Sequence, residues 1–232
     1  MKLNTPQRLL NEHEVADSCS ISVLTLRKWR SQKRGPQFVK IGALVRYRPE
    51  DVDAWIAGQS IYVCMSSSEL HTLQKAFREA GGHWSTFVIW AKNTFTMGRS
   101  DYQRQYEPIL YGWKEGTDHF WCGARDQGDV WFVKKPVKND LHATMKPVEL
   151  VERALRNSSK TRDTVLDPFG GSGTTLIACE KAGRPARVIE LEPHYCDVIA
   201  QRYIEFTGKP VLLHADGRTF EQVQQSRSVT AA

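Results

Sequence analysis

The 232-residue sequence has no C-x-x-C pair among its five cysteines, no Pro-Pro dipeptide among its ten prolines and no long apolar run. Each absence excludes something. Cys19, Cys64, Cys122, Cys179 and Cys196 are scattered and lack histidines at zinc-finger spacing, so no metal site is expected and they read as reduced, mostly buried thiols of a cytoplasmic protein. No stretch approaches the roughly 18 apolar residues that span a bilayer, and "MKLNTPQRLLNEHEV" lacks the apolar core of a secretory signal, so no membrane association is expected. There is no internal repeat, and only the tail "QQSRSVTAA" reads as disordered.

What is present suffices for a folded chain. A hydrophobic content of 41% allows a packed core, either one medium domain or a small module joined to a larger one. The formal net charge of +6 suits a polyanionic partner or simply a solubilising surface; the placement of the charges has to decide.

At the front, Val15 and Ala16 sit in a short helical stretch, Ser20 to Ser22 form a polar turn, and "VLTLRKWRSQ" reads as a second helix with Ser22 as its N-cap. Leu26 and Trp29 give that helix an inward stripe, which leaves Thr25, Arg27, Lys28 and Arg30 largely on its outer side, where phosphates and base edges are met. "QFVKIGALVRYRPEDV" alternates as a two-stranded ribbon turning at Gly42, with Lys40, Arg46 and Arg48 available to a DNA backbone. Pro49 and two acids then open a third helix. The turn, "LRKW" and "VRYRPEDVDAWI" resemble the winged helix-turn-helix of excisionase-like and MerR-like proteins, which implies binding of double-stranded DNA through Ser22, Thr25, Arg27, Lys28, Arg30, Lys40, Arg46 and Arg48. The competing reading is a helical protein-interaction module whose basic face is merely solvated.

Further along, "VLDPFGGSGTT" is an apolar strand that ends on an acid and turns into glycines ahead of a helix, a nucleotide-binding arrangement. A phosphate-cradling loop needs a lysine after its last glycine, but Gly173 is followed by Thr174 and Thr175. A dinucleotide fingerprint needs a third glycine where Leu176 stands. The next strand, "ARVIELEP", ends with Glu190, at the distance from the loop where such folds set an acid against a ribose diol. A ribose-binding acid without a phosphate grip suits a nucleoside lacking phosphates, and S-adenosylmethionine is the common one. Its cationic groups also tolerate Asp167 nearby. Taken alone, an acid at a strand end is usually a solvated cap.

"HATMKPVEL", "VLDPFGGSGTT" and "IELEPHYCDVIAQR", in that order and preceded by "TFVIWAKN" and "YEPILYGWKEG", resemble amino-methylating DNA methyltransferases of the permuted (beta-type) order, in which the donor-binding half comes last. The resemblance covers residues 61–220 and is nearest to the modules common in phages, related to restriction-modification systems and often joined to ParB-like domains. It implies that His142, Thr144 and Lys146 wall the methionine part of the donor, that Asp167, Phe169, Gly171, Gly173, Thr174 and Thr175 form the loop around it, that Glu190 holds the ribose, and that Asp216 of "HADG" borders the adenine. The stretch from "WAKN" to "VKKP" is where the family places much of its target recognition; it carries Arg99, Arg104, Lys114 and Arg125, with Trp113, Phe120 and Trp121 read as packing.

One family feature is missing. Methylating an exocyclic amine requires its lone pair to be drawn out of conjugation, and these enzymes resemble one another in an [Asp/Asn/Ser]-Pro-Pro-[aromatic] segment that accepts the amine hydrogens and stacks on the flipped base. "DPFG" belongs to the donor loop, and "EPILY" and "EPHY" lack the second proline, so no catalytic residue is assigned. The family places that segment after a central strand lying between "TVLD" and "IYVCM", and here the front module stands in its place. Strands lie about 4.8 Å apart, so one missing strand leaves its neighbours roughly 10 Å apart. Either the flanking strands pair directly, or a second copy or a complementing methyltransferase half donates the strand, or the chain folds poorly. The coherent patterning of Trp84, Phe87, Ile89, Trp90 and Leu110 favours the first two.

The expectation is therefore an α/β chain: a partial Rossmann-like methyltransferase sheet preceded by a small winged helix-turn-helix domain. The boundaries are 1–58 for the DNA-binding domain, 59–222 for the partial methyltransferase domain (target-recognition-like about 92–140, donor half about 141–220) and 223–232 for a disordered tail. Three functions stay open: a DNA-binding methyltransferase relative whose single chain does not turn over, a non-catalytic regulator or decoy, and a half-enzyme completed by a partner chain.

Overall fold

In a computed structural model, residues 8–19, 22–31, 35–117, 119–135 and 145–230 are described; Ser20, His142 and Thr144 lie outside them. The chain forms two compact units, Met1–Phe87 with Leu110–Phe120, and Val88–Ile109 with Trp121–Ala232.

The first unit opens with α1 (Glu12–Ser18), started by a capping box: the Asn11 side chain accepts the amides of His13 (2.8 Å) and Glu14 (3.1 Å), while Glu14 accepts the amide of Asn11 (2.7 Å). Ser22 Oγ accepts the Thr25 amide at 3.0 Å and starts α2 (Val23–Ser31), which buries Leu26 and Trp29 as its apolar spacing requires. Strands β1 (Val39–Ile41) and β2 (Leu44–Arg46) pair antiparallel around Gly42, whose φ of 61° gives the tight turn that such hairpins need. α3 (Pro49–Ala57) follows. Val15, Leu26, Tyr47 and Val52 form the core of this front part, and Trp29 packs on Trp55 at 5.4 Å.

β3 (Ile61–Cys64) and α4 (Leu70–Glu79) complete the unit with parts of the two long strands β4 (Gly82–Thr96) and β5 (Arg104–Lys114). A Cβ at Gly112 would collide with the His83 carbonyl and the Phe77 ring, so only glycine lets these elements approach. Trp113 stacks with His119 at 3.6 Å and with His83 at 4.7 Å, which accounts for it as packing.

The strand order is β3-β5-β4-β6. In the second unit, β6 (Val130–Phe132) runs parallel to β4, with Trp90 opposite Trp131, and the Trp90 indole donates to the Val133 carbonyl at 2.7 Å. β7 (Val165–Asp167) and β8 (Ala186–Val188) form a separate parallel pair. Helices α5 (Val148–Ser158) and α6 (Thr174–Ala182) join over Leu155, Ala178 and Cys179, and α7 (Pro193–Thr207) has proline in its first turn.

Four expectations are corrected. Direct pairing of the two flanking strands, one of the alternatives, is not seen among the described strands: β3 pairs with β5, with Tyr62 against Tyr111 at 4.9 Å, and β7 with β8. β8 stops at Val188 instead of Glu190, although the Ile189 amide still reaches the Asp167 carbonyl at 2.8 Å. Much of the tail expected to be disordered is helical, because Thr219 and Gln222 cap each other reciprocally (2.8 and 3.3 Å) and start α8 (Phe220–Thr230). Finally, the cysteines form no disulfide among the described residues, but only Cys179 is buried and Cys19 half-buried; Cys64 at the end of β3, Cys122 in the loop before β6 and Cys196 in the first turn of α7 stand at the surface.

Candidate functional site

Leaving β7, the chain turns through residues 168–173 and enters α6. Gly171 (φ 53°) and Gly173 (φ 77°, the N-cap) take left-handed conformations that a side chain would strain. A Cβ on Gly170 would collide with Val188, so the loop sits tight against β8. Its amides are spoken for one by one: Phe169 N–H bonds Asp167 Oδ1 (3.0 Å), Gly170 N–H the Ile189 carbonyl (2.9 Å), and Gly171 N–H Glu190 Oε2 (2.6 Å). The other oxygen of Glu190 accepts the Glu192 amide at 3.0 Å. Asp167, Gly171 and Glu190, separate in sequence, thus meet around one turn. Phe169, 86% exposed, projects from it.

The loop is also held from behind. Arg202 of α7 donates to the carbonyl of Ser172 and, at 3.0 Å, to its hydroxyl; burial pushes this guanidinium below its ordinary pKa. Thr174, buried in the first turn of α6 with the half-buried Thr175 next to it, donates its hydroxyl to the Lys146 carbonyl at 3.1 Å. Lys146 is therefore tied to the loop by its backbone. Its ammonium contacts Glu107 on β5 at 2.8 Å, and Lys92 on β4 reaches the other oxygen of Glu107 at 2.6 Å, both lysines lying near the Trp90 ring. Burial alone would raise the Glu107 pKa, but the bonds from Lys146 and Lys92 outweigh it and hold it below the usual carboxylate range.

Asp216 is exposed, and its carboxylate accepts the Arg218 backbone amide (3.1 Å) and guanidinium (2.8 Å). Sequence reasoning missed Glu107, Lys92 and Arg202. The available signal was faint: an acid at an inward position of the apolar strand "YEPILY".

Chemically, the turn offers two carboxylates and a helix N-terminus, with the ammonium of Lys146, the residue tied to Thr174, already engaged by Glu107. That set repels a pyrophosphate and favours a ligand with hydroxyls and positive charge.

In the front module, Lys28, Lys40 and Arg48 are exposed and Arg46 is half-buried, donating to the Val45 carbonyl. Arg27 is half exposed and binds Glu12, whose pKa it lowers chiefly through that hydrogen bond. Ser22 and Thr25 share their hydroxyls at 2.8 Å. Arg30 departs from the outward placement expected of it: it turns inward to Tyr47 Oη (2.8 Å), Glu12 and the Phe38 ring, because α1 and the ribbon supply partners on that side.

A glycine turn clasped by an acid beyond the next strand places the second unit among α/β methyltransferase folds. Residues 54–202 match the DNA methylase family model and residues 9–60 the helix-turn-helix domain model. The chain belongs to the DNA methylase family. The type II methyltransferase M.BglI of Bacillus subtilis is 32% identical over 138 residues, which are 53% of this chain and 39% of that protein. M.HinfI of Haemophilus influenzae is 42% identical over 95 residues, covering 37% of this chain and 26% of its own length. The crystal structure of the M1.HpyAVI–SAM complex superposes on 63% of this chain and 75% of its own with a TM-score of 0.55 at 25% identity. The chain thus spans less than half the length of these curated relatives.

Proposed function

We propose that this chain binds S-adenosylmethionine at the Asp167–Thr175 turn and duplex DNA through its winged helix-turn-helix module, and that a single chain does not transfer the methyl group. The observation that carries the reading is the clasp of Glu190 on Gly171 around a glycine turn that has no phosphate-gripping lysine. The residues suit the donor: Glu190 for the ribose hydroxyls, and Asp167 with the loop for the cationic tail, the loop being held close by Gly170 against Val188 and by Gly173 against Ile199. Lys146, with His142 and Thr144, is assigned to the methionine side, and Asp216 to the adenine edge. When bound, the donor supplies an electrophilic methyl group. What is missing is an acceptor clamp, since no Pro-Pro-aromatic segment occurs in the sequence.

Thr25, Arg27, Lys28, Lys40, Arg46 and Arg48 are assigned to DNA, with Ser22 at the start of the recognition helix; Arg30 supports them from behind. The test pairs calorimetry with a labelled-donor assay on mixed-sequence duplex DNA. Donor binding without turnover is the expected result. Clear turnover by the single chain would overturn the reading.

A second reading, a half-enzyme completed by a partner chain, is favoured by β7. Parallel strands are normally buried on both faces, yet β7 pairs only with β8 among the described strands and its Leu166 is 65% exposed. Activity that appears only on mixing with a methylase fragment bearing an Asp-Pro-Pro-Tyr segment would select this reading.

A further inference from the structure

Glu107 and Lys146 each precede a buried proline, Pro108 and Pro147. A residue in that position is pushed into extended backbone, so both side chains start from stiff anchors. The Lys146 anchor is tied further, because its carbonyl accepts the Thr174 hydroxyl at 3.1 Å, in the helix turn that follows the glycine turn. Its ammonium goes to one oxygen of Glu107 at 2.8 Å, and the other oxygen takes Lys92 at 2.6 Å. One carboxylate thus carries two ammonium groups, which lie 4.7 Å (Lys92) and 6.0 Å (Lys146) from the ring centre of the buried Trp90.

Support of the fold alone does not explain this arrangement. Ion pairs withdrawn from water gain little net stability, and apolar side chains of similar volume brace an interior as well or better. What an apolar replacement would lose is control over where the charges sit. That matters beside the glycine turn, whose acids Asp167 and Glu190 accept loop amides and favour a positively charged ligand. A lysine anchored one hydrogen bond from the helix start would oppose such a ligand by like-charge repulsion, unless its ammonium were directed elsewhere and neutralised.

We propose that Glu107 is a positioning residue for the donor site: it holds the Lys146 ammonium against β5, so that a ligand with a cationic sulfur is accepted at the glycine turn in preference to its neutral-sulfur counterpart. Lys92, whose side chain is only 8% exposed, fixes the carboxylate from the far side, and Lys146 is the ammonium being steered. Glu107 touches no reacting atom in this role and acts through Lys146. The proposal rests on the donor-binding reading above.

Calorimetry of the full chain with S-adenosylmethionine and with S-adenosylhomocysteine, which has a neutral thioether in place of the sulfonium, tests it through the ratio of the two dissociation constants. Glu107→Gln is expected to weaken binding of the sulfonium ligand roughly tenfold and of the thioether no more than about threefold. Lys146→Met, which keeps the apolar stem, is expected to move the ratio the opposite way, about two- to threefold in favour of the sulfonium. The double variant should return the ratio to within about twofold of the parent. Lys146 is partly exposed, so its single variant keeps the test decisive even if Glu107→Gln does not fold. A merely structural brace would weaken both ligands alike; a ratio unmoved in every folded variant would overturn the proposal and leave the donor reading standing. Correction of the Glu107→Gln ratio by Lys92→Met and not by Lys146→Met would overturn it too. If the parent binds neither ligand, the donor reading fails and this proposal falls with it.

Discussion

Glu190 accepts the amide hydrogen of Gly171 at 2.6 Å with one carboxylate oxygen and that of Glu192 at 3.0 Å with the other. The acid proposed for the donor's ribose therefore also sets the shape of the turn proposed to receive the donor. Removing it deletes two charge-assisted bonds, each worth about 1.5–3 kcal/mol. Glu190→Ala is expected to weaken S-adenosylmethionine binding roughly 10- to 100-fold in calorimetry while the far-ultraviolet circular dichroism is retained. An unchanged dissociation constant would remove Glu190 from the site.

Glu107 holds Lys92 and Lys146 at once, and the Lys92 side chain is only 8% exposed. Glu107→Gln leaves two ammonium groups facing a neutral amide in a half-buried setting, with an expected loss of about 2–3 kcal/mol, somewhat below the ~3–5 kcal/mol of a fully buried pair. The folded-state pKa is lowered, so this stabilisation is complete above the ordinary carboxylate range and fades as pH falls through the lowered value. Urea denaturation should show the parent-minus-variant difference at pH 7, shrinking steadily below about pH 4.5. A difference that is flat with pH, or that grows in acid, would contradict the assignment.

These two carboxylates show how much the sequence reveals. Glu190 was legible because loop, strand and acid follow one another with fixed spacing, so a local pattern implies a local shape. The capped helices and the Gly42 turn were legible for the same reason. Glu107 was not, because its partners come from β4 and from Lys146, two residues ahead of α5, and nothing in "YEPIL" announces them. Arg30 was misplaced for a related cause: helical periodicity puts it near the outer face, and only the tertiary neighbours Glu12 and Tyr47 draw it in. The separate β7–β8 pair follows from which hydrogen-bonding edges found partners, which composition does not encode.

Cys179 lies at the centre of the α5–α6 contact, where burial pushes its thiol up to about 11. At pH 8 about one molecule in a thousand would carry the reactive thiolate. In an Ellman titration Cys179 should resist modification until the protein is unfolded, whereas Cys64 and Cys196 react promptly. Cys179→Ser should therefore remove only the slow phase; loss of a fast one would contradict this burial.

Arg30 and Arg48 offer the sharpest separation between support and contact. Arg48 is exposed, so Arg48→Ala should leave the melting temperature within about 1 °C, because surface changes of this kind cost under about 0.5 kcal/mol. It should lower the salt slope of duplex binding by about one. Arg30 joins Glu12, Tyr47 and Phe38, so Arg30→Ala strips the Tyr47 hydroxyl and the Glu12 carboxylate of a donor inside the module. It should cost about 1–3 kcal/mol of stability. It should also weaken DNA binding at every salt concentration in proportion to the unfolded fraction, with the slope preserved. Thermal melts and anisotropy titrations on the two variants read both effects. If Arg30→Ala changed the slope and left the melting temperature intact, its side chain would be contacting phosphate and the inward geometry would not describe the DNA-bound state.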